Sequence, residues 1–298
     1  METKHLLETE GNSRAAGREN GHSGGEPVEY TRGWKIATAE AVRASGTGKT
    51  PMESPSAAPE PPASDHGPDR PWQACVVPMV AFLTLGLLEP TPSGGGIAGS
   101  LGIPYAAYPW VYTARLAVTL GLVAAAWPAI RAWLGRPSWW PPLLGLALVV
   151  PWVVLAALQR DAGWAGGLHE RSGFNPWDQF GDNQAAVLAY LGLRGLGLVV
   201  VTPLVEELFL RGFFLRFIVK ERFWEVPFGL LTPAVAGACA AYAAATHPNE
   251  AVAAVGWFAV VTGIAAATRR PIDCVLAHAA TNLALGAWVL VTGAWWLV

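Results

Sequence analysis

From Trp72 to Val298 the chain is a succession of apolar runs, and that texture leaves few ways to fold. The runs fall at about Trp72 to Leu88, Trp110 to Ile130, Pro141 to Leu158, Leu196 to Val219, Leu230 to Thr246, Val252 to Ala267 and Cys274 to Val298. A helix that crosses roughly 30 Å of hydrocarbon needs about 20 mostly apolar residues, and each run is near that length. Charged residues make up 14% of the chain and concentrate in its first seventy or so positions, whereas a soluble domain carries about 25% throughout. Trp110, Trp139, Trp140, Trp295 and Trp296 cluster at the margins of the runs, as the interfacial belts of a membrane protein require. The expected fold is all-α, a polytopic bundle of about seven transmembrane helices.

Residues 1–70 read differently. They are rich in Gly, Ser, Pro, Glu and Ala with almost no apolar periodicity, so they cannot bury enough surface to offset their ordering entropy. We expect a disordered cytoplasmic tail over 1–70 and an integral-membrane domain over 71–298. The tail has no continuous apolar h-region followed by a cleavage site and is not read as a signal peptide. The net charge of -2 and the absence of a basic stripe give no reason to expect nucleic acid as a partner. Cys75, Cys239 and Cys274 each sit in an apolar segment without a CxxC pair, which fits buried small hydrophobes.

The loops orient the bundle. Arg131 and Arg136 follow the second span, Arg216, Lys220 and Arg222 the fourth, and Arg269 and Arg270 the sixth, while Glu89 to Pro109 holds a single acidic charge. By the positive-inside rule the N-terminus is cytoplasmic and the C-terminus lies outside. The largest exterior feature is the loop Gln159 to Asn183, for which substrate access and simple connection are both open. Ala185 to Arg194 is an interfacial or early helical piece leading into the fourth span. No internal repeat is visible.

Against this background the stretch from Pro203 to Arg216 stands apart, because it sets Glu206, Glu207 and Arg211 inside an apolar run. Ionisable groups in a span are costly and mark functional sites by default. Glu207 and Arg211 are four apart with the acid first, the favourable order for an intrahelical pair. Glu206 points about 100° away, and a less compensated carboxylate facing the bundle interior is what a general base looks like. Later come His247 at the end of the fifth span and the pair His278 and Asn282, which share one face of the seventh. A lone intramembrane His or Asn is commonly a satisfied interhelical hydrogen bond. The company of two glutamates and an arginine weakens that bland reading here.

The EExxxR run at Glu206, Glu207 and Arg211, a histidine closing the next span, and HxxxN at His278 and Asn282 resemble the three motifs of the CPBP family of intramembrane glutamic proteases, relatives of the CAAX prenyl endopeptidase. The similarity runs over 203–298. The wording from Glu206 to Arg216, with Thr281-Asn282-Leu283, Thr292-Gly293 and Trp295, resembles a bacterial subgroup found beside exosortase systems. One position departs from the family's FxxxH: Ala243 stands four before His247, with Tyr242 beside it as a substitute aromatic.

The resemblance implies a hydrolase that uses no metal and no cofactor. Glu206 would act as general base on a water held by His247, His278 and Asn282 would donate to the oxyanion, and Glu207 and Arg211 would support Glu206 and the helix. Counted from its cytoplasmic start, His247 falls nearer the outside than Glu206 and His278. The fifth span must therefore start late, tilt or break for the three to meet.

Two other classes compete. Two histidines, glutamates and an asparagine suggest a zinc protease, but there is no HExxH and Asn is an uncommon zinc ligand. A non-catalytic scaffold or proton-coupled carrier would use the same acids and histidines as an anchor site or relay, although the paired inverted repeats of a carrier are not seen. The preferred reading is an intramembrane endopeptidase in the bacterial cytoplasmic (inner) membrane, acting in or near the membrane anchor of a protein substrate. Its partners are that substrate and the lipid bilayer, with a functional link to an exosortase-like sorting system.

Overall fold

The computed structural model describes residues 68, 70–164 and 173–297. The tail expected over 1–70 therefore lies, but for Pro68 and Arg70, outside the described residues, as does the middle of the loop Gln159 to Asn183. The described residues form helices and their connections, without a strand among them. Seven apolar helices account for most of them: α1 Pro71–Gly86, α2 Tyr108–Leu134, α3 Trp140–Asp161, α4 Gln184–Phe217, α5 Pro233–Thr246, α6 Ala251–Thr268 and α7 Pro271–Thr292. Five are long and apolar enough to cross a membrane, and α1 and α5 are shorter. The protein is an integral membrane protein.

The side chains agree with a lipid-facing exterior. Leu188, Val150, Leu158 and Val291 are all more than half exposed, an apolar surface that water would not tolerate over a whole bundle. Inward faces follow helical periodicity. On α2 the buried stripe runs Tyr108, Tyr112, Leu116, Thr119, Val123, Ala126 and Ile130, steps of three and four residues that keep one side turned to the core.

Proline and glycine shape the helices around the core. Pro78 has no N–H for the Ala74 carbonyl, and α1 breaks just before it at Val76. Gly145 of α3 lies directly against α7, where a Cβ would come within 2.1 Å of the Ala277 carbonyl. The Thr281 hydroxyl donates to the Gly145 carbonyl at 2.7 Å and fastens the same crossing. Gly197 of α4 leaves room for the Tyr112 ring, whose hydroxyl a Cβ would strike at 1.8 Å.

Helix α4 is longer than its apolar run suggested, beginning at Gln184 instead of Leu196 and absorbing the piece Ala185 to Arg194. Its 34 residues reach about 50 Å at 1.5 Å per residue, more than a bilayer core. Two π turns, Gly197–Val201 and Leu208–Phe214, flank the α-helical turn that carries Glu206 and Glu207. Such wide turns recur at functional sites because they redirect side chains and unpair carbonyls. Here the Thr202 N–H bonds Gly197 and residue 203 is proline, so the Leu198 carbonyl has no backbone donor on either register.

The fifth helix resolves the depth of His247. It starts late, at Pro233, where the Thr232 side chain accepts from Val235 N–H, and its 14 residues cover only about 21 Å. Pro248 excludes helical geometry from the residue before it, so His247 leaves the helix with φ -130° and ψ 57° and the chain turns back into α6. Gln159 of α3, itself buried, clamps this turn by donating to the Pro248 carbonyl at 3.2 Å and accepting from Val252 N–H at 3.0 Å. The charged loop ends also come together. Asp273, fully buried in the first turn of α7, accepts from Ser138 N–H and hydroxyl at 2.7 and 2.8 Å, and Arg270 reaches the Arg136 carbonyl at 3.4 Å.

Candidate active site

A cavity of about 860 Å³ opens among these helices, with Glu206, Tyr242, His247, His278 and Asn282 on its wall. That volume is within the range of small-ligand and peptide-residue pockets. The four residues expected to carry the chemistry thus line one space, although α4, the α5–α6 turn and α7 supply them separately.

Glu206 and Glu207 sit side by side on α4 with different surroundings. Glu207 is ion-paired with Arg211 one turn on, and its other oxygen lies 2.9 Å from His278 Nδ1. Arg211 also donates to the Phe258 carbonyl at 3.1 Å, which ties α4 to α6. The supporting pair is therefore present, and it reaches further than the helix that contains it. Glu206, only 6% exposed, has no arginine within ion-pair distance among the described residues; it accepts from the Tyr242 hydroxyl at 3.3 Å and stands 3.9 Å from His278 Nε2.

His278 bridges the two acids, and the bridge fixes its tautomer. Its Nδ1 faces a carboxylate already held by Arg211, so the proton belongs on Nδ1. In the neutral ring Nε2 is then an acceptor turned toward Glu206. A separation of 3.9 Å is too long for a direct hydrogen bond and wide enough for one water to bridge. The Trp257 ring meets the imidazole edge-on at 4.6 Å, and its indole N–H donates to Thr281 at 3.1 Å. Thr281 is the residue that fastens α7 to Gly145, so the same contact that sets the helix crossing sets the histidine.

His247 and Asn282 complete the wall. The His247 ring packs between Trp152 at 5.7 Å and Phe258 at 5.4 Å, with Nδ1 2.9 Å from the Thr246 hydroxyl. Asn282, one turn after His278, donates from Nδ2 to the Leu198 carbonyl at 2.8 Å, the carbonyl that Pro203 orphans. An amide nitrogen has two hydrogens, so this bond leaves one for a ligand in the cavity. Among the described residues no group of three His, Cys, Asp or Glu side chains has the geometry to hold a metal ion. All three cysteines are buried free thiols.

Residues 189–284, about a third of the chain, match the family model described as type II CAAX prenyl endopeptidase Rce1-like. This segment is an Rce1-like CAAX endopeptidase domain. The family is one of peptidases, so the chain carries a membrane endopeptidase domain that acts on protein. The match holds Glu206, Glu207, Arg211, His247, His278 and Asn282, on α4, the α5–α6 turn and α7, which border one cavity. Neither a curated protein nor a solved structure matches the chain.

Three contributors to the candidate site were not legible as such. Tyr242 was read as a substitute aromatic, and it does pack against Phe258 and Phe209; its hydroxyl bond to Glu206 was the part missed. Gln159, which holds the turn bearing His247, and Gly145, which sets α7 against α3, act from behind the cavity wall and lie upstream of the matched segment. A glutamine and a glycine inside an apolar run were the available signals.

Proposed function

We propose that the chain is an intramembrane glutamic endopeptidase in which Glu206 activates water for attack on a peptide bond near the membrane anchor of a protein substrate. The observation that carries this is the asymmetry of the two acids: Glu207 is neutralised by Arg211, whereas Glu206 borders the cavity beside a histidine nitrogen. Peptide hydrolysis needs such a base, because water at neutral pH is a poor nucleophile. Glu206 takes the proton of the water as it attacks the carbonyl carbon, and the proton then passes to the leaving amine. His247, which lines the same cavity, helps hold the water.

Asn282 has one N–H left to donate to the tetrahedral oxyanion. His278 can donate from Nε2 only as the imidazolium, since Nδ1–H is engaged by Glu207. A proton shared between Glu206 and His278 therefore belongs to the working state. In a dry site such a donor contributes roughly 3 to 4 kcal/mol to the transition state.

The substrate, in this reading, is a protein with a C-terminal membrane anchor. The wording around Glu206 and Thr281-Asn282-Leu283, similar to the exosortase-associated subgroup, supports a place in sorting-signal processing. The basic ends of α2, α4 and α6 support a cytoplasmic N-terminus in a bacterial inner membrane.

The test compares native-host membranes carrying wild type or Glu206→Gln at equal expression, with protein termini mapped by mass spectrometry. Uncleaved anchors should accumulate in the variant, and cleavage should survive exhaustive chelation. Unchanged termini beside a clear effect of whole-gene deletion would transfer the assignment to a scaffold or carrier.

A further inference from the structure

The cavity has a second polar end that the hydrolytic chemistry does not use. Glu89, Arg115 and Arg194 line it. Arg115 is ion-paired: it donates to Glu89 at 2.6 Å and to the Phe82 carbonyl at 2.8 Å, and it lies 3.5 Å from the centre of the Phe82 ring. Arg194 is not. Among the described residues its one hydrogen bond runs from Nη1 to the Tyr108 hydroxyl at 3.2 Å, and its guanidinium sits 4.9 Å from the Tyr112 ring.

A guanidinium carries five N–H donors and a permanent charge. The two arginines buried inside the bundle use more of theirs, Arg211 on Glu207 and the Phe258 carbonyl with only Nε left unpartnered, and Arg216 on the carbonyls of Gly212, Trp224 and Val226. None of the Arg194 nitrogens is sealed away without a partner, and the residue lines the cavity. With Glu89 paired to Arg115, Arg194 has no carboxylate of its own within ion-pair distance among the described residues. A cation kept in an apolar span without a carboxylate is costly and calls for a ligand.

Its position measures what that ligand is. Arg194 and Glu206 stand on the same helix, twelve residues apart, or about 18 Å along α4. An extended peptide covers that distance in roughly five residues. We propose that Arg194 is an anion subsite that reads a carboxylate on the peptide substrate about five residues from the bond cleaved. The inference rests on the endopeptidase reading for what happens at the other end of the peptide. The carboxylate is an acidic side chain or the free C-terminus, and both present the planar fork that arginine binds in bidentate fashion.

The test is binding, so that it does not depend on turnover. Short apolar peptides with a neutral dye are titrated onto full-length Glu206→Gln in uncharged detergent: one ends in a free carboxylate, one in an amide, and an amide series carries a single Glu at successive positions. Acid-bearing peptides should bind about tenfold tighter than the plain amide. The position of the best Glu, against the terminal carboxylate, tells the two sources apart.

Adding Arg194→Gln should level the series, and Arg194→Lys should keep part of the preference, which guards against a folding defect in the first variant. Equal affinity of acid and amide peptides with Arg194 intact would overturn the subsite, as would a preference that survives Arg194→Gln. Retention of phosphatidylglycerol by the Arg194 protein alone, without any peptide preference, would assign the charge to lipid instead. Wild type that binds these peptides selectively and cuts none of them would count against the endopeptidase reading and leave the subsite standing.

Discussion

His278 Nδ1 hydrogen-bonds Glu207 Oε1 at 2.9 Å, which joins the glutamate paired with Arg211 to the histidine that faces Glu206. The two adjacent acids are thereby given separate work. Glu207 orients the imidazole and compensates a buried arginine. Glu206 is left with a hydroxyl and a histidine nitrogen, neither of which cancels its charge outright.

Replacing each acid by its amide should separate these tasks. Glu206→Gln should lower turnover by on the order of a hundredfold or more with little loss of stability, because no arginine is left stranded. Glu207→Gln should lose activity and also unfold more readily, by about 3 to 5 kcal/mol, since it strands Arg211 as an uncompensated buried charge. His278→Ala should resemble Glu206→Gln, with a loss on the order of a hundredfold. Peptide turnover and thermal unfolding of the detergent-solubilised protein check all three. Equal stability of the two glutamine variants would remove the distinction.

Tyr242 carries two properties that substitution can divide. Tyr242→Phe keeps the ring that packs on Phe209 and Phe258 but removes the donor to Glu206. Loss of one such bond is worth about 1 to 1.5 kcal/mol, so turnover should fall about tenfold while thermal stability stays close to wild type. Tyr242→Ala should reduce both. A Tyr242→Phe variant as active as wild type would confine the residue to packing, the role of the aromatic it replaces.

The spans could be read from the sequence because lipid demands long apolar runs, and the site because six polar side chains stood out against them. What could not be read depended on pairs far apart in the chain. Tyr242 and Glu206 are separated by 36 positions and Gly145 approaches Ala277 on another helix, and neither contact leaves a periodic trace. The start of α4 was left open between an interfacial and an early helical piece because Arg194 and the glycines at 192, 195 and 197 interrupt its apolar run. The depth of His247 was in the sequence as Pro248, since a proline there ends the helix before it has crossed.

Gly145→Ala tests whether the α3–α7 crossing sets the site. The new Cβ would sit 2.1 Å from the Ala277 carbonyl, so the helices must part next to His278. Overpacking of this kind costs about 1 to 3 kcal/mol, and turnover should fall because His278 moves with Ala277. Gly121→Ala on α2 has nothing within 4 Å of its Cβ and should leave activity and stability near wild type. Unfolding and turnover measured side by side decide it: an active Gly145→Ala protein would detach the crossing from the chemistry.

The last prediction concerns Asn282, which has a structural bond and an open donor at once. Its amide satisfies the Leu198 carbonyl, which lacks a backbone donor because residue 203 is proline. Asn282→Ala alone removes both functions, so its effect cannot be assigned to either. Pro203→Ala returns a backbone N–H to the turn, and in that background the carbonyl no longer depends on Asn282. The stability cost of Asn282→Ala should then shrink, giving a coupling energy of about 1 kcal/mol in a double-mutant cycle. Turnover should behave otherwise. If the second amide hydrogen stabilises the oxyanion, Asn282→Ala must still slow the reaction on the order of a hundredfold in the Pro203→Ala protein. Recovery of turnover together with stability would mean that Asn282 serves the helix pair and not the transition state.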